Sequence, residues 1–194
     1  MRNLFKRKKS ESTSPITAEE VSLIDRFINK GDVVFDIGAH EGDWLLEVDK
    51  AVPTDIFAFE ASSHIYSKLK SRIEGLKTAG TVRMFNKAVA SREKTIAFYE
   101  YPDRPMLSSA HRRISVEGKA TGSPPVQRAV PSTSIDAFCS DNGIHRINYL
   151  KIDAEGAEYE ILRGCIGMLR RDAIDHIQLA LFQIRRSDSC LSLR

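Results

Sequence analysis

The sequence predicts an α/β fold, a three-layer sandwich on a mostly parallel, Rossmann-like sheet, and three observations carry that prediction. Apolar runs at residues 33–37, 56–60 and 147–152 have the composition of strands covered on both faces. Segments with a helical stripe alternate with these runs, as crossovers between parallel strands require. Acids and glycines stand at the joints between strand and helix, the edge along which open parallel sheets bind ligands.

The elements follow in order. Thr17-Ala18-Glu19-Glu20 is a capping box, with Ile16 placed to staple against Val21. Val21, Ile24, Phe27 and Ile28 then give a helical stripe that Gly31 is expected to end. Two strands, 33–37 and 56–60, flank a helix marked by Trp44, Leu45, Val48 and Val52, which makes one right-handed βαβ unit. A second unit runs from a Ser62 or Ser63 cap through Ile65, Leu69, Ile73 and Leu76 to a third strand around residues 82–89. From Ser91 the rhythm changes. Residues 95–101 and 126–130 alternate like strands around a stretch rich in Pro, Ser, Gly and Arg, which predicts a β-hairpin or flap inserted before the fourth core strand. A short helix at 134–139 precedes that strand at 147–152. Ala157, Ile161, Leu162, Cys165 and Leu169 mark one further helix, and 174–182 a fifth strand.

The chain has 194 residues, which suits one domain with a substantial core. The expected organisation is a basic disordered tail at 1–15, the domain at 16–182 and an irregular end at 183–194. The chain is 42% hydrophobic and 28% charged, and no apolar run approaches the roughly 18 residues that span a bilayer. The formal charge is +3, yet Arg2, Lys6, Arg7, Lys8 and Lys9 all lie in the first nine positions, so the body is mildly acidic. An acidic body lacks the clustered Lys and Arg of a nucleic-acid face. Cys139, Cys165 and Cys190 show no zinc-ligand spacing, so no metal is expected and a reduced, cytoplasmic setting is the simplest account. Cys165 falls on an apolar helix face and reads as core.

The joints carry the chemistry. Asp36-Ile37-Gly38-Ala39-His40-Glu41-Gly42 ends a strand and enters a helix, but it lacks the three glycines of the nicotinamide fingerprint. Its spacing points to S-adenosylmethionine (SAM). Gly38 and Gly42 let a ligand approach the backbone, Asp36 is placed for the methionine ammonium directly or through water, and loop amides for its carboxylate. Glu60 ends an apolar run at the separation that puts a carboxylate on a ribose, whose hydroxyls are donors. Asn86 is placed either for the adenine edge or as a turn residue. Asp153, Glu155 and Glu158 cluster where the fourth strand enters its helix, and helix capping alone accounts for two of the three. Asp153 is the first candidate for chemistry. It, Glu155 or His111 of the flap would take the proton of an alcohol acceptor.

The blocks FDIGAHEG, FAFEAS, FNKAVAS, STSIDAF and LKIDAEGAEYEILRG, in this order from about Val33 to Leu181, resemble the FkbM family of SAM-dependent methyltransferases. The resemblance implies a class I methyltransferase fold, SAM as cofactor, and methylation of a hydroxyl on a sugar, a glycan or a secondary metabolite. Members of the family usually carry an acid near the end of the fifth strand and two further strands. Here Leu179-Ala180-Leu181-Phe182 leads into a polar, Arg- and Ser-containing end, which reads as a shortened C-terminus with incomplete strands. The alternatives are a non-catalytic SAM-binding remnant and, from another class, a nicotinamide-dependent oxidoreductase.

Overall fold

The computed structural model describes residues 16–101, 103, 108–110 and 123–179. The basic tail, His111 with most of the flap, Cys190, the last residues of the expected fifth strand and the 183–194 end all lie outside the described residues.

The main sheet is five-stranded, in the order β3-β2-β1-β7-β8, and every pair in it is parallel. Its strands are β1 (Val33–Ile37), β2 (Asp55–Phe59), β3 (Thr81–Phe85), β7 (Ile147–Ile152) and β8 (Ile174–Leu179). Alternate residues of the central strands supply two separate cores, as the period of two demands. Val34, Ile56, Ala58 and Tyr149 pack on one face against α1 (Ala18–Phe27), α2 (Asp43–Ala51) and α3 (Ser63–Ile73). On the other face Phe35, Ile37, Phe57, Phe59, Leu150 and Ile152 meet α4 (Ile135–Asp141), α5 (Glu158–Arg163) and α6 (Ile166–Arg170). The three layers are those the alternation of runs and stripes predicts. Among the described residues no helix is long and apolar enough to cross a membrane.

A second sheet, in the order β4-β6-β5, holds β4 (Ala88–Val89), β5 (Lys94–Glu100) and β6 (Val126–Thr133). β5 and β6 are antiparallel, the expected hairpin, while β4 runs parallel to β6.

Local chemistry explains the boundaries. The capping box forms in full: Thr17 accepts from the Glu20 N–H, and Glu20 accepts from the Thr17 N–H. Ser62 and Ser134 cap α3 and α4 through their hydroxyls. Four expectations need correction. α1 stops at Phe27, with Ile28 already extended, so Gly31 (φ +85°) shapes the next turn and does not end the helix. The run at 82–89 is two strands in two sheets, because Asn86 and Lys87 turn the chain from β3 into β4. The helix after β7 is two helices, broken at Gly164, whose α-carbon packs so closely on Ala90 that a Cβ would lie 2.2 Å from the Ala90 carbonyl oxygen. Leu76 and Leu169 are exposed, not part of the core.

Candidate active site

Gly38 lies where β1 meets β7. Its φ of +84° favours glycine, and a Cβ there would fall 1.9 Å from the Asp153 carbonyl oxygen. The Asp153 N–H in turn donates to the Ile37 carbonyl at 2.9 Å. This close approach brings the first and second acidic loops side by side. Gly42, also left-handed at +86°, starts α2, and a Cβ there would meet the Leu69 side chain at 2.6 Å.

The loop is laced to the end of β2. The Gly38 and Ala39 N–H groups donate to the Phe59 carbonyl, and the His40 N–H donates to Glu60 Oε2 at 2.9 Å. Three loop amides are therefore committed within the protein. The Gly42 N–H is committed as well, donating to the Ala39 carbonyl at 2.9 Å, so none of these four amides is free for a ligand carboxylate. Glu60 lies one residue beyond β2, and its Oε1 accepts from the Ser62 N–H at 2.8 Å. Burial pushes the Glu60 carboxyl up to about 7, against the pull of these two backbone N–H groups. Each oxygen keeps a lone pair for a further donor.

A cleft of about 280 Å³ opens along this edge. Gly38, Ala39, His40 and Trp44 line it from the first loop and α2, Glu60 and Ala61 from the end of β2, and Lys151, Asp153 and Glu155 from β7 and beyond. The second sheet adds Ala88, Val89, Ile96 and Phe98, and Ser108 and Ala110 close one side. Ile16, Thr17 and Glu20 of the α1 approach complete the wall. Gly38, Glu60, Asp153 and Glu155 thus meet in one hollow.

Three expected site residues, Gly42, Asp36 and Asn86, stand off the cleft wall, Gly42 facing the Leu69 side chain instead. Asp36 is fully buried beneath the cleft and does not line it. Its Oδ1 lies 3.5 Å from Lys151 Nζ, and its Oδ2 has no hydrogen-bond partner among the described residues. Burial pushes its carboxyl up, with Lys151 opposing. Asn86 also stays off the cleft wall. Its amide nitrogen donates to the Glu60 and Ala61 carbonyls and its oxygen accepts from Ser63, so it fastens the turn, the role left open beside the adenine one.

Sequence reasoning missed Lys151. It is almost fully buried, 3.5 Å from Asp36, 3.4 Å from Asp153 Oδ2, and 5.5 Å above the Trp44 ring. Burial works against its charge, but the Asp36 and Asp153 carboxylates more than offset that and hold its ammonium above the ordinary lysine range. The signal was a lysine inside an apolar strand, where an unpaired charge is costly. His40 shows a second sign of a constrained site: a left-handed backbone (φ 50°), with burial holding its imidazole below the ordinary range. Glu155 is left-handed too (φ 52°), while Glu158 accepts from the Gly156 N–H at 3.0 Å, a capping role. Among the described residues no group of His, Cys, Asp and Glu is arranged to hold a metal ion.

The fold is that of a Rossmann-like α/β protein with a cleft at the carboxyl edge of a parallel sheet, the edge where such sheets bind ligands. The chain matches the methyltransferase FkbM domain over residues 36–188, and it belongs to that family. It is 24% identical over 150 residues to the hexuronic acid methyltransferase AglP of Haloferax volcanii, covering 77% of this chain and 56% of that protein. The chain thus spans little more than half the length of this relative. Among solved structures, it is similar to precorrin 8W decarboxylase of Methanobacterium thermoautotrophicum, with a TM-score of 0.48, 17% identity, and coverage of 88% of this chain and 67% of that one. YjhP of E. coli gives a TM-score of 0.32 and 19% identity over 44% of this chain and 37% of that one.

Proposed function

We propose that this chain is a SAM-dependent methyltransferase that methylates a hydroxyl of a sugar, a glycan or a secondary metabolite. The observation that carries this reading is the convergence of Gly38, Glu60 and Asp153 on one cleft in a chain of the FkbM family. The sugar class draws further support from the hexuronic acid methyltransferase among its relatives.

The residues present suit SAM. Gly38 packs its α-carbon on the Asp153 backbone, which holds the two loops together at the cleft edge. Glu60 offers a buried acceptor to ribose hydroxyls, and Ala88, Val89, Ile96 and Phe98 offer an apolar wall to a purine. SAM supplies a methyl group activated on a sulfonium. Asp153, at the mouth of the cleft with its side chain 42% exposed, takes the proton of the acceptor hydroxyl as general base. Lys151 keeps its own proton and is not the base.

Isothermal titration with SAM and with NAD tests the cofactor, and a labelled-methyl assay over neutral sugars, hexuronic acids and polyketide alcohols tests the activity. The expected result is binding of SAM and not NAD, with turnover that falls by about a hundredfold or more in Asp153→Ala. Binding of NAD without SAM would overturn the reading, and unchanged turnover in the variant would remove Asp153 from the mechanism.

A further inference from the structure

Asp153 is held firmly by its backbone and, on its own, loosely by its side chain. Its N–H donates to Ile37, and its carbonyl oxygen packs on the Gly38 α-carbon, so the main chain has no room to shift. The carboxylate, in contrast, stands at the cleft rim, where a short side chain ordinarily exchanges between staggered rotamers. Lys151 is the one described group that grips it, through Oδ2 at 3.4 Å.

Lys151 is itself fixed. Two residues earlier on β7, its side chain is only 5% exposed, its ammonium is shared with the buried Asp36, and the Trp44 ring lies beneath it. A cation buried so deeply between two carboxylates adds little net stability, because its desolvation offsets the attraction. Its value lies in geometry. We propose that Lys151 is the positioning residue of the transfer step: its ammonium takes one oxygen of Asp153 and thereby presents the other to the acceptor hydroxyl.

The proposal rests on the reading of Asp153 as base. The hydroxyl proton passes to Asp153 Oδ1 while the hydroxyl oxygen forms its new bond to the methyl carbon. The bond from that carbon to sulfur breaks, its electron pair stays on sulfur, and the positive charge leaves the sulfonium as Asp153 becomes neutral. Lys151 is unchanged throughout. Misplacing a base by about 1 Å costs rate without costing affinity, so the positioning role predicts an effect on kcat and not on binding.

The direct readout is the mobility of the Asp153 side chain, from three-bond couplings of its 13Cγ, assigned with Asp153→Asn. The wild type is expected to show one χ1 rotamer, Lys151→Met an average over several, and Lys151→Arg a return toward one. In the labelled-methyl assay kcat should fall about tenfold or more in Lys151→Met and recover in Lys151→Arg, with SAM affinity and acceptor KM held within about threefold. Should Lys151→Met fail to fold because Asp36 is left buried and alone, Asp36→Asn with Lys151→Met removes both charges and gives the same coupling readout. Couplings already averaged in the wild type, or unchanged in the folded variant, would overturn the proposal. SAM titration of the same samples separates the two levels: a wild type that binds no SAM loses the methyltransferase reading, whereas a SAM-binding variant with an ordered Asp153 loses only Lys151.

Discussion

Glu60 makes the cleft sensitive to pH. Its carboxyl is pushed up to about 7 in the folded chain from an ordinary 4.5, so the folded state holds this proton more tightly than the unfolded one. The contribution to stability is therefore full below about pH 4.5 and lost as pH rises through about 7, a change of about 3 kcal/mol. Binding runs the opposite way. In the proposed SAM complex the ribose hydroxyls would donate to the ionised carboxylate, so the SAM dissociation constant should fall about tenfold between about pH 6 and about pH 8. Titration calorimetry across that range checks it, and a flat profile would exclude Glu60 from the ribose. The sequence made Glu60, Gly38 and Asp153 legible because a joint residue needs only its place after a strand. Lys151 and the commitment of Asp36 were not legible, because each depends on what the neighbouring strand places opposite it, whereas the turn role of Asn86 was one of the two the sequence left open.

At the scale of elements, the break between α5 and α6 is held by a side chain from another helix. The Asp136 carboxylate, in the first turn of α4, accepts from the Gly167 N–H at 2.7 Å and the Met168 N–H at 2.8 Å. It thus serves as a cap for α6, whose own preceding residue, Cys165, provides none. Asp136→Ala should lower stability by about 1–2 kcal/mol, read by urea unfolding. This cap explains why the pattern Ala157, Ile161, Leu162, Cys165 and Leu169 suggested a single helix: the apolar period continues across the break, and only a long-range carboxylate and the close packing of Gly164 on Ala90 reveal it. The split of the third strand run is similar. Val82, Phe85 and Val89 favour a strand on either side of Asn86 and Lys87, which do not, and the turn at Asn86 is fixed by its bonds to Glu60, Ala61 and Ser63.

Across the whole molecule, one aromatic ring joins the sheet to its helical cover beneath the cleft. Phe138 of α4 stands edge-on to Phe35, Phe57, Phe59 and Phe85, with ring centroids 4.9–5.9 Å apart and planes near perpendicular. These four rings span the three strands β1, β2 and β3, and Phe59 also lines the cleft. Phe138→Ala should cost about 3–5 kcal/mol in urea unfolding, and a loss below about 1 kcal/mol would show that the layers are held together elsewhere. The layered architecture itself was legible from alternation alone, since only a sheet covered on both faces needs continuous apolar strands. Which face each helix covers came from the two cores, and no one-dimensional pattern assigns that.

Trp44 is the sole tryptophan of the chain, and it stands in the wall of the cleft with Lys151 above its ring and Tyr149 stacked against it at 5.9 Å. Indole emission from this protein thus arises from a single place, the place where a cofactor would settle. Light absorbed there gives an optical gauge of occupancy that needs neither label nor substrate.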